Sequence, residues 1–274
     1  MITKTSIGII LVKPGGLNNP PEALLVHKRY TYAFNEFING NYIYLHNNPS
    51  KYFIKKNYTI MSVDMLLEQM TTDELLDIMS LNFEQMWYRL CLSVSNTDPY
   101  YLKKYNKFKT EFLDYDSGKK LISMIKNTKL RGNLLWEIPK GRKSDSRESD
   151  IDCAMRELEE EAGIKRDLYK IIPNIKKKIS YISNCVKYVF IYFIGIANIK
   201  LLKMRNTHKI YQAQNLLCND IREISEIGWF NMQYIKLLDN GSKHLECVIK
   251  PAFKIVKSHN SLSNYRKLIV IIQS

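Results

Sequence analysis

Residues 141–164 decide the fold of this chain, and they read GRKSDSRESDIDCAMRELEEEAGI. Ser149 and Asp152 favour the start of a helix here, because such side chains accept hydrogen bonds from free backbone N–H groups and suit the positive end of the helix dipole. Gly163 is placed for a left-handed helix stop. The pattern therefore predicts one helix over residues 149–162.

The periodicity of this helix separates an apolar face from an acidic flank. At about 100° per residue, one arc collects the apolar side chains expected in the core, which are Ile151, Ala154, Met155, Leu158 and Ala162. Glu157, Glu160 and Glu161 stand at positions i, i+3 and i+4 and share a flank. Like charges this close repel one another unless a hard divalent cation with oxygen ligands, such as Mg²⁺, neutralises them. Taken alone, ELEEE is typical of a solvated helix face.

The spacing of charged residues and glycines in this stretch resembles the signature of the Nudix hydrolase family. That signature is Gly, five residues, Glu, seven residues, then Arg-Glu-apolar-x-Glu-Glu-x-Gly-apolar, and residues 148–164 match it at every defined position. The chain departs from it once, because six residues instead of five separate Gly141 from Glu148. The preceding LLWEIPKG, residues 134–141, supplies the expected strand-Pro-Lys-Gly context.

The resemblance implies an α+β fold, a Nudix α/β/α sandwich with a helical insertion domain. It implies a hydrolase of phosphoanhydride bonds that uses Mg²⁺ or Mn²⁺ to polarise a phosphoryl oxygen and activate water. The implied metal ligands are the glutamates of the motif, Glu148, Glu157, Glu160 and Glu161. Either Glu160 or Glu161 could be the general base. Arg156 is expected to orient the carboxylates by a salt bridge, and Gly141 and Gly163 are structural members of the motif.

Other residues outside the motif give weaker signals. Glu223, in DIREISEIGWF before a predicted strand, is a distal candidate for the catalytic set, and an exposed polar residue is an equally good interpretation. The five cysteines and five histidines form no CxxC pair and no HxxxH, which argues against a disulfide framework or zinc site. No apolar run approaches the ~20 residues that cross a bilayer, and the first residues lack the features of a signal peptide. We therefore expect an intracellular protein.

Charge is distributed unevenly along the chain. Lys and Arg number 41 against 27 Asp and Glu, which gives a net charge of +14. Residues 148–167 hold eight acids and three bases, so the remainder carries a balance of +19. A basic body around one acidic cluster suggests a polyanionic ligand that meets a cation-binding site. A generally basic composition would explain the average but not the acidic cluster. The hydrophobic content of 45% excludes a disordered or collagen-like chain.

The predicted elements suggest a discontinuous domain. Residues 1–35 and 126–274 are expected to form the Nudix hydrolase domain, and residues 36–125 a helical insertion. Apolar residues at helical spacing predict helices over 63–79, 80–93, 99–112 and 117–127. Thr71 or Thr72 with Glu74 suggests a helix cap. Predicted strands cover 4–13, 22–30, 134–138, 179–183, 187–199 and 225–230, and 248–257 and 262–272 form a mixed end.

Segments outside the motif resemble the mRNA-decapping Nudix enzymes of large DNA viruses. The matching segments lie in the same order and include parts of the insertion: KTSIGII (4–10), HKRYTYAFNEFI (27–38), KKYNKF (103–108) and SGKKLISMI (117–125). The resemblance implies hydrolysis of capped mRNA to m7GDP and 5′-monophosphate RNA, with activity on diphosphoinositol polyphosphates. It also implies a viral protein that degrades host mRNA in the host cytoplasm.

Lysines of the insertion alternate with aromatic residues, which suits RNA binding. Lys103, Lys104 and Lys107 are the predicted RNA-binding residues, with Lys4 a weaker candidate for the same basic path. An amphipathic helix with its aromatics inward and its lysines in water is an equally good interpretation. Two other functions remain open, a pyrophosphatase of inositol pyrophosphates or nucleotides and a non-catalytic RNA-binding scaffold. Substitution of the lysines would leave the activity of such a pyrophosphatase intact. The complete set of glutamates argues against a non-catalytic scaffold.

Overall fold

A computed structural model describes residues 2–16, 19–44, 52–55, 58–90, 97–183, 186–198, 211–212, 223–238 and 243–272. Contacts between residues divide the chain into two compact units. The helical unit comprises Met1–Ile2, Lys28–Leu135 and Ile182–Lys187. The sheet unit comprises Thr3–His27, Trp136–Tyr181 and Tyr188–Ser274.

The described strands and helices occur in groups along the chain. The strands are β1 (Ile2–Lys13), β2 (Glu22–Lys28), β3 (Tyr42–Ile43), β4 (Tyr52–Lys55), β5 (Tyr58–Ser62), β6 (Trp136–Glu137), β7 (Lys140–Gly141), β8 (Tyr169–Ser183), β9 (Val186–Ala197), β10 (Tyr211–Gln212) and β11 (Ile224–Phe230). The helices are α1 (Tyr32–Ile38), α2 (Val63–Leu67), α3 (Thr72–Ser80), α4 (Phe83–Leu90), α5 (Pro99–Phe108), α6 (Asp114–Asp116), α7 (Lys119–Asn127), α8 (Asp150–Ala162), α9 (Met232–Leu238) and α10 (His244–Ile272).

The sheet unit is built on one eight-stranded sheet covered on both faces. Its strand order is β10-β11-β2-β1-β9-β8, with β6 added to β2 and β7 added to β1. Successive side chains of a strand point to opposite faces, so the apolar run of β1 serves two cores. Ile7 and Ile9 pack with α8, whereas Ile10 and Val12 pack with α9 and α10. Helices on both faces of the sheet give the α/β/α sandwich expected of the Nudix fold.

Short antiparallel contacts bring the motif residues against the central strands. Lys140 and Gly141 of β7 pair with Gly8 and Ile7 of β1, and Glu137 of β6 pairs with Val26 of β2. The loop that leads into α8 is therefore attached to the middle of the sheet. This attachment fixes the position at which α8, the helix that carries the motif glutamates, begins.

The helical unit has a core rich in aromatic side chains. Phe37 of α1 lies 6.0 Å from Phe108 of α5 and 5.8 Å from Phe112, measured between ring centroids. Phe83 of α4 lies 5.1 Å from Phe108, so rings from three helices meet. Aromatic pairs of this kind add to the stabilisation that burial provides.

A single buried carboxylate caps two helices of this unit. The side chain of Thr71 accepts a hydrogen bond from the Glu74 N–H, and the Glu74 carboxylate accepts one from the Thr71 N–H, which is a capping box at the start of α3. The same carboxylate accepts hydrogen bonds from the Thr31 N–H at 2.5 Å and the Thr31 hydroxyl at 2.9 Å. Thr31 is the N-cap of α1, so Glu74 joins two helix starts.

The described structure corrects several sequence-based expectations. The segment predicted as a helical insertion also contains a small sheet of order β3-β5-β4, and the predicted helix 63–79 is divided into α2 and α3. The predicted helix 99–112 ends at Phe108 and passes into a π-helical turn, Lys109–Leu113. The mixed end is one helix, α10. Within the described residues, no helix combines the length and apolarity that crossing a membrane requires.

Candidate active site

Helix α8 begins and ends where its sequence predicts. Ser149 is the N-cap, and its side-chain oxygen accepts a hydrogen bond from the Asp152 N–H at 3.1 Å. Gly163 ends the helix in the left-handed region at φ 63°, and its N–H donates to the Glu159 carbonyl at 2.8 Å. A side chain at this φ would be strained, which explains the glycine.

The apolar face of α8 differs from the predicted arc at one point. Ala154, Leu158 and Ala162 are buried in the core beneath the sheet, as predicted. Ile151 is 37% exposed, and Cys153 is buried in its place. Because Glu157 and Glu161 are buried as well, the covered arc is turned by about 60° from the predicted one, toward the flank that carries the glutamates, at about 100° per residue. Burial raises the pKa of the Cys153 thiol to about 11, which makes it a structural residue.

Arg156 gathers the carboxylates of the motif. Its guanidinium donates to Glu148 at 2.8 Å, to Glu157 at 2.8 Å and to Glu160 at 2.6 Å. It also donates to the Arg142 carbonyl at 2.8 Å. The salt bridges expected of Arg156 are present, and they bring Glu148 into the cluster despite the extra residue in the preceding loop.

The loop before α8 supplies close backbone contacts to the glutamates. The Lys140 N–H donates to Glu161 at 3.0 Å, and the Ser144 N–H donates to Glu148 at 2.8 Å. A Cβ atom at Gly141 would lie 2.1 Å from the Glu157 carboxyl group. Only glycine at position 141 therefore allows this carboxylate to approach the backbone of β7. Gly141 is a predicted member of the motif, whereas Lys140 is an additional residue of the site that only the Pro-Lys-Gly sequence indicates.

The glutamates differ in exposure and in charge environment. Glu157 and Glu161 are buried, whereas the Glu160 side chain is 41% exposed. Burial raises the pKa of Glu157 to about 7, and the hydrogen bond from Arg156 opposes this effect only in part. Hydrogen bonds from Arg156 and the Ser144 N–H lower the pKa of Glu148 to about 2. The cluster therefore holds one firmly ionised carboxylate and one that takes up a proton near neutral pH.

Two predicted site residues lie elsewhere in the sheet unit. Glu223 is exposed in the turn that precedes β11, so its proposed part in catalysis remains a prediction. Lys4 lies on β1, with its Nζ 5.9 Å from the centre of the Tyr188 ring. Its role in RNA binding also remains a prediction.

The three predicted RNA-binding lysines of α5 have different environments within the helical unit. Lys103 is exposed. The Lys104 Nζ lies 4.9 Å from the centre of the Tyr100 ring, and burial lowers the pKa of this lysine. The Lys107 Nζ donates hydrogen bonds of 2.7 Å to the carbonyls of Gly40 and Tyr42. Lys107 thus connects α5 to the chain after α1 and has a structural task in addition to the one predicted.

Comparison with known proteins identifies the family. Residues 113–249 match the NUDIX domain family. The chain belongs to the Nudix family. It is 40% identical over 260 residues to the mRNA-decapping protein g5R of African swine fever virus, isolate Warthog/Namibia/Wart80/1980, and the match covers 94% of this chain and 98% of that protein. The same protein of isolate Pig/Kenya/KEN-50/1950 is also 40% identical over 260 residues, with the same coverage.

More distant matches include a second viral protein and a solved structure. A putative mRNA-decapping protein of Acanthamoeba polyphaga mimivirus is 35% identical over 98 residues, which are 35% of this chain and 24% of that protein. Among solved structures, a C. elegans Ap4A hydrolase aligns over 94% of this chain and 97% of its own, with a TM-score of 0.39 and 10% identity. The chain is a Nudix hydrolase and a homologue of the g5R decapping protein.

Nudix hydrolases typically use a divalent metal, and the donor chemistry of the cluster fits one. Glu157 and Glu161 are carboxylates buried one helical turn apart, and hard cations such as Mg²⁺ and Mn²⁺ prefer oxygen ligands. In the described part of the chain, no three His, Cys, Asp or Glu residues converge as the ligands of one ion. The Arg156 guanidinium instead neutralises the carboxylates. The assignment of these glutamates as metal ligands therefore remains a prediction.

Proposed function

We propose that this Nudix hydrolase decaps mRNA with Mg²⁺ or Mn²⁺, releasing m7GDP and leaving RNA with a 5′-monophosphate. The observation that carries the proposal is the 40% identity to the g5R decapping protein over 94% of the chain, because that match includes the helical unit as well as the glutamate motif. Activity on diphosphoinositol polyphosphates forms part of the proposal, since these compounds contain the same phosphoanhydride bond. The site of action would be the cytoplasm of a host cell, where capped mRNA is found.

The geometry of α8 supports different roles for the individual glutamates. Glu157 and Glu161 would hold the metal, since burial and the contacts from β7 limit their movement. Glu148 would complete the set from the loop. A bound Mg²⁺ or Mn²⁺ supplies charge that stabilises the leaving phosphate and lowers the pKa of an attacking water. Either Glu160 or Glu161 would accept the proton of that water.

Arg156 would act as a positioning residue. Its three carboxylate contacts hold the cluster together while no cation is bound, and its bond to the Arg142 carbonyl keeps the guanidinium next to the loop. With Glu157 engaged by a cation, the guanidinium would still contact Glu148 and Glu160. Arg156 thereby limits the distance that the side chains must move to bind the ion.

Cap-labelled RNA tests the proposal directly. The wild-type protein with Mn²⁺ or Mg²⁺ should release m7GDP, and Glu160→Gln or Glu161→Gln should each reduce kcat by about 10²- to 10⁴-fold, the larger loss marking the general base. Glu159→Gln is a matched control, because Glu159 is an exposed glutamate on the same helix. Its kcat should equal that of the wild type.

The alternatives define the outcomes that would refute decapping. If the wild-type protein releases no m7GDP but hydrolyses diphosphoinositol polyphosphates or nucleotides, the chain is a small-molecule pyrophosphatase. If it binds RNA and hydrolyses none of these substrates, it is a non-catalytic RNA-binding scaffold. Loss of activity in Glu159→Gln equal to that in the other two variants would show that the assay reports folding instead of catalysis.

The helical unit is proposed to bind RNA through Lys103 and Lys104. Lys4, which belongs to the sheet unit, is proposed separately as an RNA contact. Exposed lysines bind the phosphates of RNA by releasing counterions, so affinity should fall steeply with salt concentration. Lys107 contributes positive charge at the same helix but is held by two backbone carbonyls. We assign most of the RNA contact of α5 to Lys103 and Lys104.

A further inference from the structure

A row of aromatic rings crosses the two strands at the edge of the main sheet. Tyr181 of β8 stacks on Tyr188 and Phe190 of β9, with ring centroids 5.2 and 5.8 Å apart and planes inclined by 22° in both pairs. Phe190 in turn lies parallel to the buried Tyr192, with planes inclined by 7°. The row therefore runs outward from the core to a ring that is still 48% exposed, that of Tyr181.

The exposed ring has a rigid support and an accessible surface. Phe190 and Tyr192 belong to the core shared with α10, so they fix the rings stacked on them. Aromatic side chains favour stacking with a flat partner, and a ring held in place loses little freedom when such a partner binds. Tyr181 thus has the properties of a stacking platform for a planar ligand.

Charged groups flank the row. The Lys140 Nζ lies 5.9 Å from the centre of the Phe190 ring and donates to the Glu137 carboxylate at 2.6 Å. Burial, followed by Tyr188 and the negative charge of Glu137, raises the pKa of Tyr181. The Lys4 Nζ lies 5.9 Å from the centre of the Tyr188 ring. A carboxylate next to an aromatic platform is suited to a ring that carries N–H donors or positive charge.

Lys140 connects this surface to the candidate active site. Its side chain lies against the row, while its backbone N–H donates to Glu161 on α8 at 3.0 Å. Lys140 therefore contacts Phe190, which supports Tyr181, through its side chain and a glutamate of the motif through its backbone.

We propose that Tyr181, supported by Tyr188 and Phe190 and flanked by Glu137, binds the 7-methylguanine base of the mRNA cap. This inference rests on the proposed decapping function and names the residues that select its substrate. The methylated base is flat and positively charged, so it stacks favourably on an electron-rich ring, and Glu137 accepts hydrogen bonds from its N–H groups. Diphosphoinositol polyphosphates have no planar ring, so they gain nothing from the platform.

The test compares two substrates in one set of variants. Tyr181→Ala should raise KM for capped RNA by about 5- to 100-fold, the usual contribution of one base stacked on an aromatic ring, with kcat little changed. This variant should discriminate less than the wild type between a methylated and an unmethylated cap. Hydrolysis of a diphosphoinositol polyphosphate should keep its wild-type KM and kcat. Tyr181→Phe retains the ring and should stay within threefold of the wild type for both substrates.

A matched control separates the platform from general effects of removing an exposed tyrosine. Tyr234 of α9 belongs to the same unit and is 58% exposed, and Tyr234→Ala should leave both activities unchanged. The melting temperature of each variant reports on folding.

The outcomes distinguish this inference from the function on which it rests. If the wild-type protein releases no m7GDP, decapping is wrong and the platform has no cap to bind. If the wild-type protein decaps RNA and Tyr181→Ala keeps the wild-type KM and cap preference, decapping stands and the platform is refuted. Equal loss of activity on both substrates in Tyr181→Ala would also refute it, because the ring would then serve the structure and not the base.

Discussion

Replacing Gly141 by alanine should inactivate the enzyme without unfolding it. The added Cβ would lie 2.1 Å from the Glu157 carboxyl group, so the carboxylate must retreat by about 1.3 Å to restore an ordinary contact of 3.4 Å. This displacement pulls Glu157 away from its place next to Arg156, where their separation is 2.8 Å. A misplacement of about 1 Å in a catalytic group can reduce the rate by about 100-fold, which corresponds to about 2.7 kcal/mol in the activation free energy.

The stability of Gly141→Ala should change little, because the group that must move is the end of a flexible side chain. We expect the free energy of unfolding to differ from that of the wild type by less than about 1 kcal/mol. The measurements are kcat for m7GDP release at saturating Mn²⁺ and a urea unfolding curve for the same preparation. A lower affinity for Mn²⁺, measured by calorimetry, should accompany the loss of kcat.

Gly16→Ala provides the matched control for this variant. A Cβ at Gly16 meets nothing within 4 Å, so the same chemical change should leave both kcat and stability at wild-type values. If Gly141→Ala keeps kcat within threefold of the wild type, the close approach of Glu157 to β7 does not matter for catalysis. The assignment of Glu157 as a metal ligand held by that contact would then be wrong.

Four further predictions follow from the geometry. Because the pKa of Glu157 is about 7, protons compete with the metal for this carboxylate below that pH. The affinity for Mn²⁺, measured by calorimetry, should therefore rise about tenfold per pH unit below pH 7 and level off above it. Glu157→Gln should remove this pH dependence. The same raised pKa means that ionising Glu157 destabilises the folded protein. As the pH rises from 4.5 to 7, the free energy of unfolding in urea should therefore fall for the wild type relative to Glu157→Gln. Glu74→Ala leaves the Thr31 donors unpaired and should lower the free energy of unfolding by about 3 kcal/mol, measured by tryptophan fluorescence in urea. Lys107→Ala should lower the free energy of unfolding by about 2 kcal/mol, because two backbone carbonyls lose their donor. Lys103→Ala should leave the free energy of unfolding unchanged and reduce the slope of log RNA affinity against log salt concentration by about 1.

The parts of the site that sequence predicted are those fixed by local chemistry. The start of α8 at Ser149 and its end at Gly163 depend on hydrogen bonds within a few residues, and both are confirmed. The capping box of Thr71 and Glu74 is confirmed for the same reason. The contact from Lys140 to Glu161 could not be deduced in this way, because it depends on the pairing of β7 with β1, more than 130 residues apart in sequence.

The expectations that failed concern segments shaped by distant neighbours. Residues 169–178 were not predicted as a strand, yet they form most of β8, which lies at the edge of the sheet. Lysines at 176, 177 and 178 obscure the apolar alternation there, and charged side chains are usual on edge strands because they discourage pairing with other chains. Ile151 was expected inside and is exposed, since the sheet and not the helix alone decides which arc of α8 is covered.

The carboxylate of Glu74 makes three positions of the helical unit depend on one another. It bonds Thr31, which lies 43 residues earlier in the chain, and Thr71, three residues before it. A substitution at any one of these positions removes hydrogen bonds that the other two residues also need. The loss of stability from substituting two of them together should therefore be smaller than the sum of the two single losses. In a diverging lineage, the three positions would change together or not at all.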